Sequence, residues 1–394
     1  MRLRIAVVGA GAESGSRARQ YIATVVRLSR HYELVAVCDA HEPTANTIAR
    51  QYGATPHTDV RKMLERARPD IVLCLTPTDS QPVVALTVIE HGSHLITEIP
   101  MGIALSVGDA IAARAEEEGV VWTVSEQVWL WPRERLKRRA IEAGLLGDLT
   151  HVRMRYWTGA YHGFNAVRML LDAEARRVRG YVQETPTPPY TAYAGDAMRS
   201  RIWEHALIEF DGDIVCVFDK PLDPGNHWTV YGSEGRLDGD DLVLGDGDGE
   251  ARYEARERTV ERDGEGLLAS VSFRGLEGVE WENPYLEFGI GAADDIAKAG
   301  ILVGAHRAVT ESVPSVYGAD QARRDLELWF ATWASSERGE WVDLPLPAGS
   351  TDLEARILEE YRRRYGHDPV EEPEKLLSTR FGRKTAWWTV AQWL

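Results

Sequence analysis

The first 120 residues alternate short apolar runs with longer segments of helical periodicity, and this alternation limits the folds open to the chain. LRIAVVG (3–9), YELVAVCD (32–39), DIVLCLTP (70–77), SHLITEIP (93–100) and VVWTVSEQ (120–127) are apolar throughout. Between them lie SRARQYIATVVRLSRH, PTANTIARQYG, VRKMLERARP, QPVVALTVIEHG and ALSVGDAIAARAEEEG, each readable as a helix. Strands without a polar face, separated by helices, imply a parallel sheet covered on both sides. The pattern changes after the helix predicted over WPRERLKRRAIEAGLLGD (131–148). THVRMRYWTG, IWEHALIEFDGDIVCVFDK, HWTVYGSEGRLDGDDLVLG and ARYEARERTV alternate polar with apolar residues, as half-covered antiparallel strands do. Helical periodicity returns at 318–339 and 353–366. The expected architecture is α/β, with a division near 125–130: residues 1–127 carry the parallel sheet, and residues 128–394 form a second α/β domain.

A chain of 394 residues has room for two such domains. The formal net charge of −16 repels nucleic acid and anionic membranes, so neither is an expected partner. No apolar run reaches the length of a membrane span. MRLRIAVVGAGAE resembles a signal peptide only superficially: the apolar part is short, and Glu13 and Arg17 follow it. It reads as a buried first strand, and the protein is expected to be cytoplasmic. Cys38, Cys74 and Cys216 each sit in apolar strand-like runs and read as buried reduced thiols, with no metal-ligand spacing. DGDGE (246–250) lacks the full calcium-loop pattern and reads as part of a solvated hairpin. The closing KTAWWTVAQWL is apolar but too short to span a membrane; docking on the body or on a sister subunit is expected.

The loop Gly9-Ala10-Gly11-Ala12-Glu13-Ser14-Gly15 follows the first strand and precedes a helix. Glycines there permit a tight turn and close approach of backbone to a pyrophosphate, and the helix N-terminus offers free N–H groups. The third glycine position holds Ser14, with Gly15 one residue later; both are small, and Ser14 or Ser16 offers a hydroxyl to a phosphate. The alternative is a purely structural strand–helix turn. Asp39, ending the second strand, is placed to accept from adenosine ribose hydroxyls. Its charge and the absence of a following Arg favour NAD over NADP, although His41 could tolerate a phosphate.

The glycine loop, Asp39, Thr76-Pro77, Glu98-x-Pro100 and GLLGDLTHV (144–152), in this order and spacing, resemble the Gfo/Idh/MocA family of NAD(P)-dependent oxidoreductases. WEHALIEFDGD, VYGSEGRL and WVDLPL (341–346) extend the resemblance over most of the chain. The resemblance implies a Rossmann domain with a parallel sheet, then an α/β domain on a large open, mainly antiparallel sheet. It implies a homo-oligomer, dimer or tetramer, formed through that sheet, and chemistry at hydroxyl or carbonyl carbons of sugars and cyclitols. It also marks departures. The family's Glu-Lys-Pro is here Glu98-Ile99-Pro100, and an isoleucine neither donates, accepts nor carries charge. Gln81 stands where a His is common. The family's Asp-x-x-x-His corresponds to Thr158 through His162, keeping the His but not the Asp. Asn165 replaces a usual acid, while Arg168 matches a frequent Arg.

These readings place Gly9, Gly11, Ser14, Gly15, Asp39, Thr76, Pro77, Glu98 and Gln127 on the cofactor side, with no metal. His162 is the expected acid/base, since an imidazole near neutral pH can take a hydroxyl proton. Tyr161 is an alternative acid or positioner. A helix-capping His162 and a packing Tyr161 are the plainer readings. Glu126, Tyr156, Trp157, Asn165 and Arg168 are expected around the substrate. Trp129, Trp131, Tyr190, Tyr193, Arg199, Arg201, Trp203 and His205 add aromatic and polar groups, each more often core or interface. ETPTPPYTAY (184–193) reads as a loop able to cover the pocket. Three functions fit: an NAD-dependent oxidoreductase acting on a sugar, cyclitol or glycoside; a lyase or glycoside-cleaving enzyme that oxidises transiently with retained NAD; and a non-catalytic dinucleotide-binding protein.

Overall fold

The computed structural model describes residues 1–11, 15–157, 159–191, 197–221, 224–247 and 249–381. Ser14, Thr158, Tyr193 and the terminal KTAWWTVAQWL lie outside the described residues. The first layer alternates β1 (Leu3–Val8), α1 (Arg17–Arg27), β2 (Tyr32–Cys38), α2 (Glu42–Tyr52), β3 (Thr55–His57), α3 (Val60–Ala67), β4 (Ile71–Cys74), α4 (Gln81–Glu90), β5 (His94–Thr97), α5 (Leu105–Glu117) and β6 (Trp122–Val124). The six strands pair in parallel in the order β3-β2-β1-β4-β5-β6. This order reverses beside β1, which opens a crevice at the strands' C-terminal ends. Central strands such as β4 (IVLC) are buried at every position, because helices cover both faces. Helix α4 (QPVVALTVIE) is also buried almost all round, packing against the sheet on one side and later helices on the other.

A 3-10 turn (Val128–Leu130) and α6 (Pro132–Glu142) lead into the second layer. The remaining strands are β7 (Leu149–Arg155), β8 (Ala175–Thr191), β9 (Ala197–Phe210), β10 (Val215–Lys220), β11 (His227–Gly232), β12 (Gly235–Asp238), β13 (Asp241–Asp246), β14 (Gly249–Tyr253), β15 (Ala255–Arg262), β16 (Glu265–Phe273), β17 (Glu280–Glu282) and β18 (Val342–Asp343). Helices α7 (Ala160–Leu171), α8 (Ala293–Glu311), α9 (Ala319–Arg338), α10 (Asp352–Tyr365) and α11 (Pro373–Leu376) complete the described chain. Nine strands form one sheet in the order β14-β13-β12-β11-β7-β10-β9-β8-β18, and β15-β16-β17 form a small sheet of their own. The large sheet is antiparallel except for the β7–β10 pair, which is parallel. The fold class is thus a Rossmann-type parallel sheet followed by a large, mainly antiparallel one.

Three sequence expectations are corrected. The proline-rich stretch expected as a loop over the pocket is strand for its residues 184–191, the outer half of β8, paired to β9 with an irregular register between Pro186 and Tyr190. Among the described residues only β9 flanks β8 there, so the prolines sit at the sheet's open side, where no second ladder is formed. The run ARYEARERTV splits into β14 and β15, which belong to different sheets. The helix expected over 131–148 stops at Glu142, before the turns at Gly144 and Gly147. The periodicity also did not mark α8. Its apolar residues are spread around the helix, because it packs on α1, α6 and the 3-10 turn at once.

The second layer does not stand apart from the first. Tyr32 Oη of β2 donates to the Leu302 carbonyl of α8 at 2.6 Å, and His306 Nε2 meets the Met1 carbonyl at 2.7 Å. Tyr361 of α10 donates to the Asp79 carbonyl at 2.9 Å and Tyr365 to its carboxylate at 2.5 Å. Cys38, Cys74 and Cys216 are free, buried thiols.

Candidate active site

The C-terminal ends of β1, β2, β4, β5 and β6 supply the groups that the sequence singled out. Gly9 and Gly11 adopt φ of 88° and 73°, in the left-handed region. A Cβ on Gly9 would lie 2.7 Å from the Leu75 carbonyl oxygen, and one on Gly11 would lie 2.1 Å from Ser16 Oγ. Both positions therefore require glycine. Gly15 faces open space. The Ser16 hydroxyl, just before α1, is buried without a hydrogen-bond partner among the described residues. Asp39 caps the neighbouring strand: Oδ2 accepts from Ala10 N at 2.9 Å and Oδ1 from His41 N at 2.8 Å. A glycine cradle, a helix N-terminus and an orphaned hydroxyl beside it fit a dinucleotide pyrophosphate. Thr76 and Pro77 follow β4, and Thr76 Oγ1 lies 3.3 Å from Cys74 Sγ.

Glu98 and Glu126 leave the sheet at adjacent strand ends, where Ser125 N donates to the Thr97 carbonyl at 2.8 Å. Glu98 Oε1 accepts from Arg17 Nε at 2.6 Å, and its Oε2 accepts from Ile99 N at 3.2 Å. The cation beside Glu98 therefore comes from the first residue of α1, not from position 99. Ile99 is half-buried against the core, before a cis bond to Pro100. Arg17 also lies 3.6 Å from Asp294 and 5.3 Å from the Tyr21 ring centroid. Burial opposes the guanidinium's charge, but its neighbours, Glu98 first and Asp294 with it, together raise the Arg17 pKa. Gln127 Nε2 and Trp131 Nε1 each donate to Asp294 Oδ1 at 3.3 Å. Lys298, buried beneath, meets Asp294 at 2.7 Å and Asp295 at 3.1 Å.

Glu126 is the deepest charge in this group, with no exposed surface. Its Oε1 accepts from Val128 N at 3.0 Å, and its Oε2 lies 2.7 Å from His162 Nδ1. A buried carboxylate needs such partners. The His162 side chain stays 23% exposed, whereas Glu126 is fully covered. Burial works against the imidazolium, yet the Glu126 carboxylate outweighs it and holds the His162 pKa above the ordinary imidazole value. A carboxylate hydrogen-bonded to a partly exposed imidazole is an arrangement able to pass a proton.

Helix α7 that carries His162 is fixed from below. Arg168 Nε donates to Asp325 Oδ1 at 2.8 Å and Asn165 Nδ2 to Asp325 Oδ2 at 2.9 Å, all three residues being buried. Tyr161 is buried as well, its hydroxyl 3.3 Å from Tyr317 Oη and 3.5 Å from the Ala322 carbonyl. Burial, reinforced by Asp325, pushes its phenol pKa well above the usual range. Asn165, Arg168 and Tyr161 thus meet α9, while His162 meets Glu126. Tyr156 is buried, and Trp157 is 38% exposed, with its N–H on Asn226 Oδ1 at 2.8 Å. Trp129 Nε1 donates to the Glu126 carbonyl at 3.1 Å. Trp203 and His205 instead gather around Asp219 on the sheet, at 3.1 and 3.2 Å. Arg201 stacks 4.2 Å over the Tyr190 ring.

Sequence reasoning missed Arg17, Asp294 and Lys298. Arg17 was visible as the first helical residue after the glycine loop, whereas Asp294 and Lys298 lie on α8, which no periodicity marked. Among the described residues no helix is long and apolar enough to cross a membrane.

Comparison with known proteins agrees with this architecture. Residues 3–126 match the family model GFO_IDH_MocA, the oxidoreductase family with an NAD-binding Rossmann fold. The scyllo-inositol 2-dehydrogenase (NAD(+)) of Bacillus subtilis (strain 168) is 24% identical over 259 residues, 60% of this chain and 73% of that protein. The D-glucoside 3-dehydrogenase of Escherichia coli (strain K12) is 33% identical over 148 residues, 37% of this chain and 41% of that one. The crystal structure of an NAD binding oxidoreductase from Klebsiella pneumoniae superimposes with a TM-score of 0.69 at 17% identity, covering 88% of this chain and 100% of that one. Glycine cradle, strand order and sequence match lead to one assignment: residues 3–126 form a domain of the Gfo/Idh/MocA oxidoreductase family, with an NAD-binding Rossmann fold.

Proposed function

We propose that the protein is an NAD-dependent oxidoreductase acting on a hydroxyl or carbonyl carbon of a sugar, cyclitol or glycoside. The observation that carries this is the 2.7 Å contact between His162 Nδ1 and Glu126 Oε2 at the C-terminal edge of the parallel sheet. Two relatives support the substrate class, being dehydrogenases of scyllo-inositol and of D-glucoside. The Asp39 carboxylate at the end of β2 favours NAD over its 2′-phosphorylated form, since a phosphate there would meet a fixed negative charge.

When bound, the dinucleotide supplies the nicotinamide that exchanges hydride with the substrate carbon. The chain's own residues handle the proton. In the oxidation direction His162 Nε2 takes the hydroxyl proton as the C–H hydride leaves, and a carbonyl forms. Glu126 orients the ring and stabilises the imidazolium that results. In reduction the imidazolium returns the proton. Glu98 and Gln127, fixed through Arg17 and Asp294, hold the cofactor side of the pocket.

The test is nicotinamide absorbance at 340 nm during incubation with a panel of polyols, sugars and glycosides, for the native chain and His162→Ala. An absorbance change that the substitution suppresses is expected. Product formation without net NADH would instead favour the transient-oxidation reading, and no product at all would favour the non-catalytic one.

A homo-oligomer formed through the large sheet is part of the same proposal. Val217 and Tyr181 are 49% and 58% exposed on its open face, which supports that reading. Light scattering in solution measures it directly.

A further inference from the structure

Arg17 stands closest to a role that neither family membership nor the sequence motifs assign to it. It is the first residue of α1, immediately after the cofactor loop. Its guanidinium lies between the Tyr21 ring, 5.3 Å away, and the Glu98 carboxylate, 2.6 Å away. The Tyr21 hydroxyl is in turn hydrogen-bonded to Ser125 Oγ, the residue before Glu126. Glu98 and Glu126 emerge from neighbouring parallel strands, roughly 5 Å apart at that spacing. Two ion pairs, Arg17–Glu98 and His162–Glu126, therefore lie side by side across two strand ends.

We infer that Arg17 is a positioning residue that neutralises Glu98 beside the His162–Glu126 dyad and so sets the pH at which His162 exchanges its proton. This rests on the reading of His162 as the acid/base group. Among the described residues, the charges facing His162 come from three elements. From the end of β6 comes Glu126, from the end of β5 Glu98, and from α1 Arg17, which opposes protonation while Glu98 favours it. From its own helix comes Tyr161, ring centroid 6.3 Å away, whose phenol is neutral near pH 7. Asp294 of α8 is held by Arg17 and by Lys298, which pairs with it at 2.7 Å. Without Arg17, Glu98 becomes an unbalanced negative charge next to the imidazole.

The experiment is a direct NMR titration of the His162 ring in 13C-histidine-labelled protein, its signal assigned by absence from His162→Gln. It needs no substrate, so failure of the oxidoreductase reading is separable from failure of this one. Arg17→Met is expected to raise the His162 midpoint by about half a pH unit or more. Glu98→Gln is expected to lower it in the same measure, and the double substitution to return it near the native value. Arg17→Lys, which restores a cation, is expected to recover most of the native midpoint. Glu98→Gln and Arg17→Lys carry the same test if Arg17→Met does not fold. An unchanged midpoint in both single variants, or a double variant that fails to return toward native, overturns the inference and leaves Arg17 a packing residue.

Discussion

At the scale of single residues, the proposed mechanism gives proton transfer to one imidazole and its tuning to one carboxylate. Removing the imidazole with His162→Ala should lower kcat about 10²- to 10⁴-fold, the usual range for a positioned acid/base, with little change in nicotinamide binding. Glu126→Gln tests the tuning. Glu126 raises the His162 pKa, so its loss lowers that pKa. Oxidation needs the neutral imidazole, so the acid limb of the kcat/KM profile should move to lower pH, while kcat itself falls. A limb that stays in place would show that another group titrates. At the cofactor loop, Gly11→Ala must hold a left-handed φ of 73° and drive a methyl toward Ser16 Oγ. The left-handed penalty of about 1–2 kcal/mol corresponds to roughly tenfold weaker NADH binding, measured by fluorescence titration. The glycine turn and the strand-end Asp39 were legible in sequence because local context marks them: a strand before and a helix after. His162 was singled out through the family resemblance, and Glu126, expected at the substrate, lies on His162 instead. Arg17 was not assigned, because its meaning depends on Glu98, 81 positions away.

At the scale of elements, α7 is the part whose placement matters most. It holds His162 at its first turn and is tied to α9 by the buried Arg168–Asp325 pair. Asp325→Ala leaves a buried guanidinium short of its main partner and should cost about 3–5 kcal/mol, read as a large drop in Tm and denaturant midpoint. Asn165 and Arg168 were read from sequence as substrate groups, and their structural partners lie on a helix more than 150 positions later. Neither partner could be named from local pattern. The same limit applies to β8. Its prolines argue for a loop on local grounds, and only the knowledge that the outer half of β8 runs beyond β18 makes them compatible with a ladder. Strand and helix alternation in the first layer was legible because burial on both faces leaves a simple hydrophobic signal. Helix α8 was not, since a helix packed on several sides has no single apolar stripe.

At the scale of the whole molecule, the two sheets are sequential in the chain but not independent. Helix α8 covers α1 and β2, and α10 reaches the loop before α4 through Asp79. A fragment ending at residue 127 exposes Tyr32, which is 2% exposed in the whole chain, and loses the Lys298 and Asp294 side of the cofactor pocket. Such a fragment should bind a hydrophobic dye and melt without a cooperative transition, as circular dichroism would report. A sharp melt matching the full chain would count against that coupling.

Ile99 has a further consequence. A lysine there would bring a dissociable ammonium to the dyad, able to shed its own proton when desolvated. A guanidinium does not titrate in a protein, so the cation supplied by Arg17 is a permanent one. With His162 as the proposed acid/base group and no ammonium at position 99, the rate of oxidation should rise along a single ionisation to a plateau instead of tracing a bell.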